Sequence, residues 1–352
     1  MVFNFNRTTT YLYNNSNNAR IILIFSLIIL LISQPLESIK SQTISIKKPI
    51  RLGFHAWIPD LLTYVAQEKG YFKKNNVNVN LTFTKNYSDV LKSYANGDFD
   101  GIFTVYSDII LQNSRGVDTK VVYNFDSSSY ADAIVGKGNN LSDVKNQKIG
   151  IGGINSFSHF FVLKSLEKVG LTEVDVQFID VPAQNILEQL QNGNIFAGHV
   201  YTPFISDVIK KGFKILSNAV DIPGTITSVI AFHSDIVLQR PQDIQNIVKS
   251  MIEAKADYDK NKEQDISIMS LKSGLSKDKI MEGIKNVKLL DLNYNIQNSM
   301  NRNSNNTTSL YVSGNNIAKF YVERGVISEY PNIDGMIDPQ FVNALLKENI
   351  TR

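Results

Sequence analysis

The chain has no cysteine, one tryptophan and four histidines among its 352 residues. Without thiols there are no disulfides, no thiolate metal site and no cysteine nucleophile, so the fold rests on its apolar core. Anchoring through an N-terminal lipidated cysteine is excluded as well. The histidines, His55, His159, His199 and His233, show no ligand-like spacing, so no metal and no cofactor is implied. A strong excess of one charge is also missing: 36 Lys and Arg face 33 Asp and Glu, a net +3. Arg7, Arg20 and Lys40 against Glu37 supply two of those charges, leaving about +1 beyond residue 41. That balance argues against a nucleic-acid partner, whose binders carry a clear basic bias. No run beyond residue 41 is long and apolar enough to span a membrane.

What is present begins with a leader. Ile21 to Ile32 is apolar except for Ser26, follows Arg7 and Arg20, and exits through Ser33, Gln34, Pro35 and Glu37. Twelve residues at about 1.5 Å each reach roughly 18 Å, short of the ~30 Å bilayer core. A basic start, a short apolar run and a small, polar exit describe a secretory signal peptide over residues 1–41, cleaved after Ser38 or Ser41. The long region before the apolar run keeps an uncleaved anchor as the alternative. Asparagine is abundant, with sequons at Asn80, Asn86, Asn140, Asn305, Asn306 and Asn349, glycosylation candidates if the chain enters a eukaryotic secretory pathway. NRNSNNTT at 301–308 reads as an exposed polar insertion.

After the leader, short strands alternate with helices in two series, which predicts an α/β chain with two lobes and largely parallel sheets. The first series runs from the strand Pro49–Phe54 to the strand Lys120–Phe125. The second runs from Lys148–Gly152 to Phe213–Leu216. The remainder, from Arg240, reads as mostly helical. The two series share a pattern: DVLKSYANGDFDGIFTVYSD in the first and NILEQLQNGNIFAGHVYTPF in the second. Each is a helix, an Asn-Gly stop, a strand and a Tyr-hydroxyl pair, Tyr106-Ser107 and Tyr201-Thr202. Ligands of open parallel sheets bind beyond the carboxyl ends of strands, where these pairs would sit. NFDSSSYADAIVGKG at 124–138 places several hydroxyls directly before an apolar strand, which suggests a polar pocket.

AWIPDLLTYVAQEKGYFKK, ANGDFDG, NFDSSSYADAIVGKGN, LSDVKNQKIGIGGINSFSHFFVLKSLEKVGL, QNGNIFAGHVYTPF, PGTITSVIAF and YPNIDGMIDPQFV occur in this order between about Ile50 and Leu346. Together they resemble the type 2 periplasmic solute-binding proteins of the nitrate, sulfonate, taurine and thiamine-precursor group, the SsuA/THI5-like family. The resemblance implies lobe one at 49–131 plus 233–352, with lobe two inserted at 132–228. It implies crossovers at 132–137 and 227–232, and a cleft that closes over its ligand by hinge bending. Carried over residue by residue, it points to Trp57, Tyr106, Ser107, Asp126, Ser127, Ser128, Asp132, Asn155, Ser156, Ser158, Tyr201 and Thr202 as ligand contacts. Asn155, Ser156 and Ser158 would open a helix whose free amides and positive dipole end suit an anion, although Ser156 is equally an N-cap. One departure stands out. The family's aromatic-Glu-Pro is here Tyr201-Thr202-Pro203, which removes an acid and weakens the case for a cationic ligand at that place.

The expected function is therefore non-enzymatic binding of a small polar or anionic solute by a monomer outside the cytoplasm, with an ABC permease as partner in a bacterial setting. Two alternatives stay open. One is an enzyme related to the thiamine-pyrimidine synthase, disfavoured by the absence of cysteine, or one using Asp126, Asp132 and His159 as acids and bases. The other is a scaffold that has lost its ligand.

Overall fold

A computed structural model describes residues 48–350. The apolar run at 21–32 and both expected cleavage sites lie outside the described residues. The strands are β1 Ile50–Phe54, β2 Val79–Phe83, β3 Gly101–Val105, β4 Thr119–Ser128, β5 Asp132–Gly136, β6 Lys148–Ile151, β7 Gln177–Asp180, β8 Ala197–Tyr201, β9 Lys214–Asn218, β10 Thr227–His233 and β11 Val287–Leu289. They form two sheets, β11-β4-β10-β3-β1-β2 and β7-β6-β8-β5-β9. β1 is parallel to β2 and β3, and β6 is parallel to β7 and β8. The inner strands β10 and β5 run antiparallel to both their neighbours. β3, β5 and β8 are buried along their whole length, as strands must be when both sheet faces are covered. The edge strands β2 and β7 are partly exposed.

The helices used below are α1 Leu62–Glu68, α2 Tyr87–Ala95, α3 Tyr106–Ser114, α4 Phe157–Lys168, α5 Pro241–Ser273, α6 Lys277–Lys285 and α7 Leu310–Glu323. Gly97 and Gly193 follow their helices at φ 78° and 74°, so both Asn-Gly pairs are left-handed helix stops. The helix expected from Pro241 to about Lys260 continues to Ser273, interrupted only by non-helical Asn261. Its far half is held to α1: Lys69 pairs with Asp257 and, at 2.5 Å, with fully buried Asp265.

The chain passes between the sheets at 129–131 and again at 219–226. The stretches expected to cross, 132–137 and 227–232, are instead strands that pair within one sheet each, β5 with β8 and β9, and β10 with β3 and β4. In the second passage Gly224 has φ 84°, and a Cβ there would lie 2.4 Å from the carbonyl oxygen of Thr307. The asparagine-rich insertion therefore rests its backbone on the connector. The sheets also share an apolar cluster. Trp57 and Val105, at the ends of β1 and β3, pack with Ile134, Phe157, Phe161 and Tyr201 of the second sheet's side.

Candidate binding site

Strand ends from both sheets converge on one buried patch. The turn after β1 carries His55, Trp57 and Asp60, all buried. Two-residue alternation puts Asp126 and Ser128 on one face of β4, beyond a register shift that follows Asn124, and His199 and Tyr201 on one face of β8. β5 begins with Asp132, and Phe157 and Ser158 open α4. Between them lies a chamber of about 10 Å³ lined by His55, Trp57, Asp132, Phe157, Tyr201 and Ser228, with Val105 and Ile226. A single water needs roughly 10–15 Å³, so the chamber is shut to anything larger. Through Phe157 and Tyr201 it adjoins an outer groove of about 530 Å³, whose walls include Tyr87, Ser88, Lys92, Ser158, Asp180 and His199.

A polar network surrounds the chamber. The indole N–H of Trp57 donates to Asp126 Oδ2 at 3.0 Å. His199 lies between Asp132 Oδ1, 3.1 Å from Nε2, and Ser158 Oγ, 2.8 Å from Nδ1. Ser158 Oγ also accepts the Gly152 amide at 3.0 Å. With Ser158 donating to Nδ1, the imidazole N–H points at Asp132, which fixes that carboxyl and leaves its Oδ2 without a partner. His55 Nδ1 lies 3.3 Å from Asp60 Oδ2. Ring walls complete the lining: Tyr201 stands 6.2 Å from Trp57 and 6.0 Å from Phe157, centroid to centroid.

A second network joins the sheets. Asp108 of α3 accepts the first amide of α4, Phe157 N–H, at 3.0 Å, and the Tyr87 hydroxyl at 2.6 Å. Tyr87 OH also lies 2.8 Å from Thr104 Oγ1 and accepts the Val105 amide at 3.3 Å.

The electrostatics are one-sided. No lysine or arginine lines the chamber. Burial pushes the Asp126 carboxyl well above its ordinary range, nearby Asp60 and Asp132 add to this, and the Trp57 and Ser228 donors oppose it. Burial likewise raises Asp60 well above its usual range. The same burial pulls His55 down to about 3 against the pull of Asp132, so at neutral pH it supplies no positive charge.

The expected contacts divide. Trp57, Asp132 and Tyr201 line the chamber, Asp126 backs it through Trp57, and Ser158 lines the outer groove. The others do not. Tyr106 turns back into the first sheet's core, its hydroxyl 2.6 Å from where a Cβ on Gly314 of α7 would sit. Ser107, fully buried beside Tyr321, follows it. Ser127 faces the opposite side of β4 from Asp126, and Ser128 lines neither cavity. Ser156 caps α4, accepting His159 N–H at 3.4 Å, and Asn155 N–H donates to His159 Nδ1 at 3.1 Å. The anion seat expected at this helix start thus has two of its amides spent on Asp108 and Ser156. Thr202 packs against Gly283 of α6. His159 is buried beside Glu173, away from both cavities, and burial lowers it to about 4. The sequence reading passed over His55, Asp60, Tyr87, Asp108 and His199. No shared signal marks them: His55 follows β1, Asp60 sits in the next turn, Tyr87 and Asp108 lie in the first turns of α2 and α3, and His199 is inside β8, each also readable as a satisfied core residue. Among the described residues no group of three or more His, Cys, Asp or Glu could hold a metal ion.

The family model described as "NMT1-like family" matches residues 45–271, nearly two thirds of the chain. The chain belongs to the NMT1-like family. No curated protein matches it. Solved structures do. The aliphatic sulphonate-binding protein SsuA of Escherichia coli is 17% identical with TM-score 0.67, the match covering 83% of this chain and 97% of that one. A Candida albicans protein described as having the generic periplasmic-binding-protein fold is 13% identical with TM-score 0.64, covering 83% and 96%. The desulfurization enzyme DszB is 14% identical with TM-score 0.60, covering 85% and 99%. This NMT1-like chain therefore has the type 2 periplasmic-binding-protein fold. At these identities the likeness speaks for the fold alone, and DszB shows that the fold also carries enzymes.

Proposed function

We propose that this NMT1-like protein captures a small polar solute between its two sheets without turning it over. Lobes at 49–131 plus 233–352 and at 132–228 would open and close about segments 129–131 and 219–226. One observation carries the reading: Asp132 Oδ2, on a residue 1% exposed, has no partner and borders a chamber built from both sheets. Leaving such a group unpaired costs about 1–3 kcal/mol or more, a cost that a solute's donor removes. The sulphonate named for the Escherichia coli relative, and nitrate, would meet the unpaired Asp132 oxygen and no cationic side chain in the chamber. The donor-bearing, polar end of the expected range fits better. The setting we infer is extracytoplasmic and monomeric, with an ABC permease downstream where one exists.

One observation favours an enzyme, the Ser158–His199–Asp132 chain of hydrogen bonds. Ser158 is 2% exposed and its Oγ is held by the Gly152 amide, so the chain is better suited to orienting Asp132 than to attack. Mass spectrometry of the natively purified protein, with thermal shifts over polar, anionic and cationic solutes, tests the proposal. A released small molecule, or a solute at a hundred times its Kd raising the melting point by about 5 °C or more, supports it. No released compound and no shift sinks it, and turnover of a hit replaces it with an enzyme.

A further inference from the structure

The chamber's chemistry points to a narrower class of solute, resting on the solute-binding reading above. Its walls carry three aromatic side chains, Trp57, Phe157 and Tyr201, and its polar lining is the Asp132 carboxyl, the uncharged His55 ring and the Ser228 hydroxyl. Asp132 is aimed by His199 so that one oxygen stays free. Asp126 sits behind the indole. Rings and acceptors without a positive neighbour form a cage that attracts a cation twice, through ring quadrupoles and through charge. The acid missing at position 202 does not argue against this, because Asp132 lines the chamber and Asp60 and Asp126 stand behind its His55 and Trp57 walls.

We propose that the chamber, widened from its one-water volume by parting of the two lobes, takes the cationic head of a small organic amine, an ammonium or amidinium, between Trp57, Phe157 and Tyr201, with Asp132 as acceptor and Asp126 behind the indole. The rest of the molecule extends into the outer groove past Ser158. Binding then displaces protons. Burial favours the neutral forms of Asp126 and Asp60, and an entering cation reverses that preference. The other titratable groups facing the site are His55 and His199, Tyr87 and Tyr201, and Asp108 with Asp132. Lys92 and Asp180 lie only in the outer groove.

Trp57 is the chain's single tryptophan, so its emission reports on the chamber alone. The test titrates the protein with choline, benzamidine, uracil and methanesulfonate at pH 6 and pH 8, reading Trp57 emission and, by calorimetry in two buffers, protons released. The expected result is saturable binding of choline or benzamidine, at least about threefold tighter at pH 8, with proton release. Asp132→Asn should weaken it about ten- to a hundredfold at an unchanged melting temperature. The wild-type pH dependence keeps the test open if that variant fails to fold. Methanesulfonate binding that tightens as pH falls would overturn the proposal, with protonated carboxyls acting as donors to an anion. Saturable binding of uracil alone would overturn it too while leaving solute capture intact. No response from any of the four, together with no co-purified compound, removes both.

Discussion

Asp108 offers a sharp test of how the two sheets are held. Its carboxyl is buried and receives Phe157 N–H from across the interface and the Tyr87 hydroxyl from its own side. Burial raises it from 3.8 to about 6 despite those donors. A carboxyl raised in the folded state stabilises the fold least when ionised. Its cost is absent below pH 3.8, grows as pH climbs from 3.8 to 6, and is complete above 6. A move of that size corresponds to roughly 3 kcal/mol. Asp108→Asn removes the charge and keeps the hydrogen bonds. The amide oxygen accepts Phe157 N–H, and the NH₂ donates to Tyr87 OH, which turns its own proton to Thr104 Oγ1. Urea unfolding of both proteins should give similar stabilities near pH 4. The variant should gain steadily to about 1–3 kcal/mol at pH 7.5. A stability difference that stays flat with pH, or a variant equally weakened throughout, would refute the claim that burial of this charge destabilises the fold.

Other substitutions probe other parts. Tyr106→Phe removes a buried hydroxyl without a partner, so it should be neutral or stabilising by up to about 1 kcal/mol and leave ligand affinity unchanged; a large loss of affinity would return Tyr106 to the site. Gly224→Ala forces a left-handed alanine into the Thr307 carbonyl and should cost about 1–3 kcal/mol or more, read from chemical unfolding. Lys69→Met strands Asp265, 0% exposed, and should cost about 3–5 kcal/mol at pH 7 and less below pH 4; a neutral result would mean water reaches that acid.

Much of the fold was readable because its signals are periodic. The repeated helix, Asn-Gly, strand units set both sheets, and the seven family stretches matched a scaffold that solved relatives share. The passages between the sheets were harder. DAIVG and TSVIAF are apolar and could bridge two sheets or lie inside one, and only strand pairing decides. The site was harder still, for reasons of one-residue precision. Asp126 faces inward while Ser127, next to it, faces away. Tyr201 lines the chamber, yet its counterpart in the repeat, Tyr106, begins a helix and swings its ring under α7. Ser156 was spent on its own helix. The acids that give the chamber its character come from a turn, a strand face and a strand start far apart in sequence, so no spacing announces them.

The order of strands also bears on how the molecule is made. The second sheet is complete once residue 218 has emerged, whereas the first lacks its inner strand β10, which seats between β3 and β4 only from residue 227 on. During synthesis β3 and β4 stand apart with open edges, while the later-encoded sheet is already whole. A ribosome or translocon feeding the chain from its amino end would therefore deliver the halves in reverse order of completion. The first sheet's unpaired edges would be the stretch most in need of a chaperone.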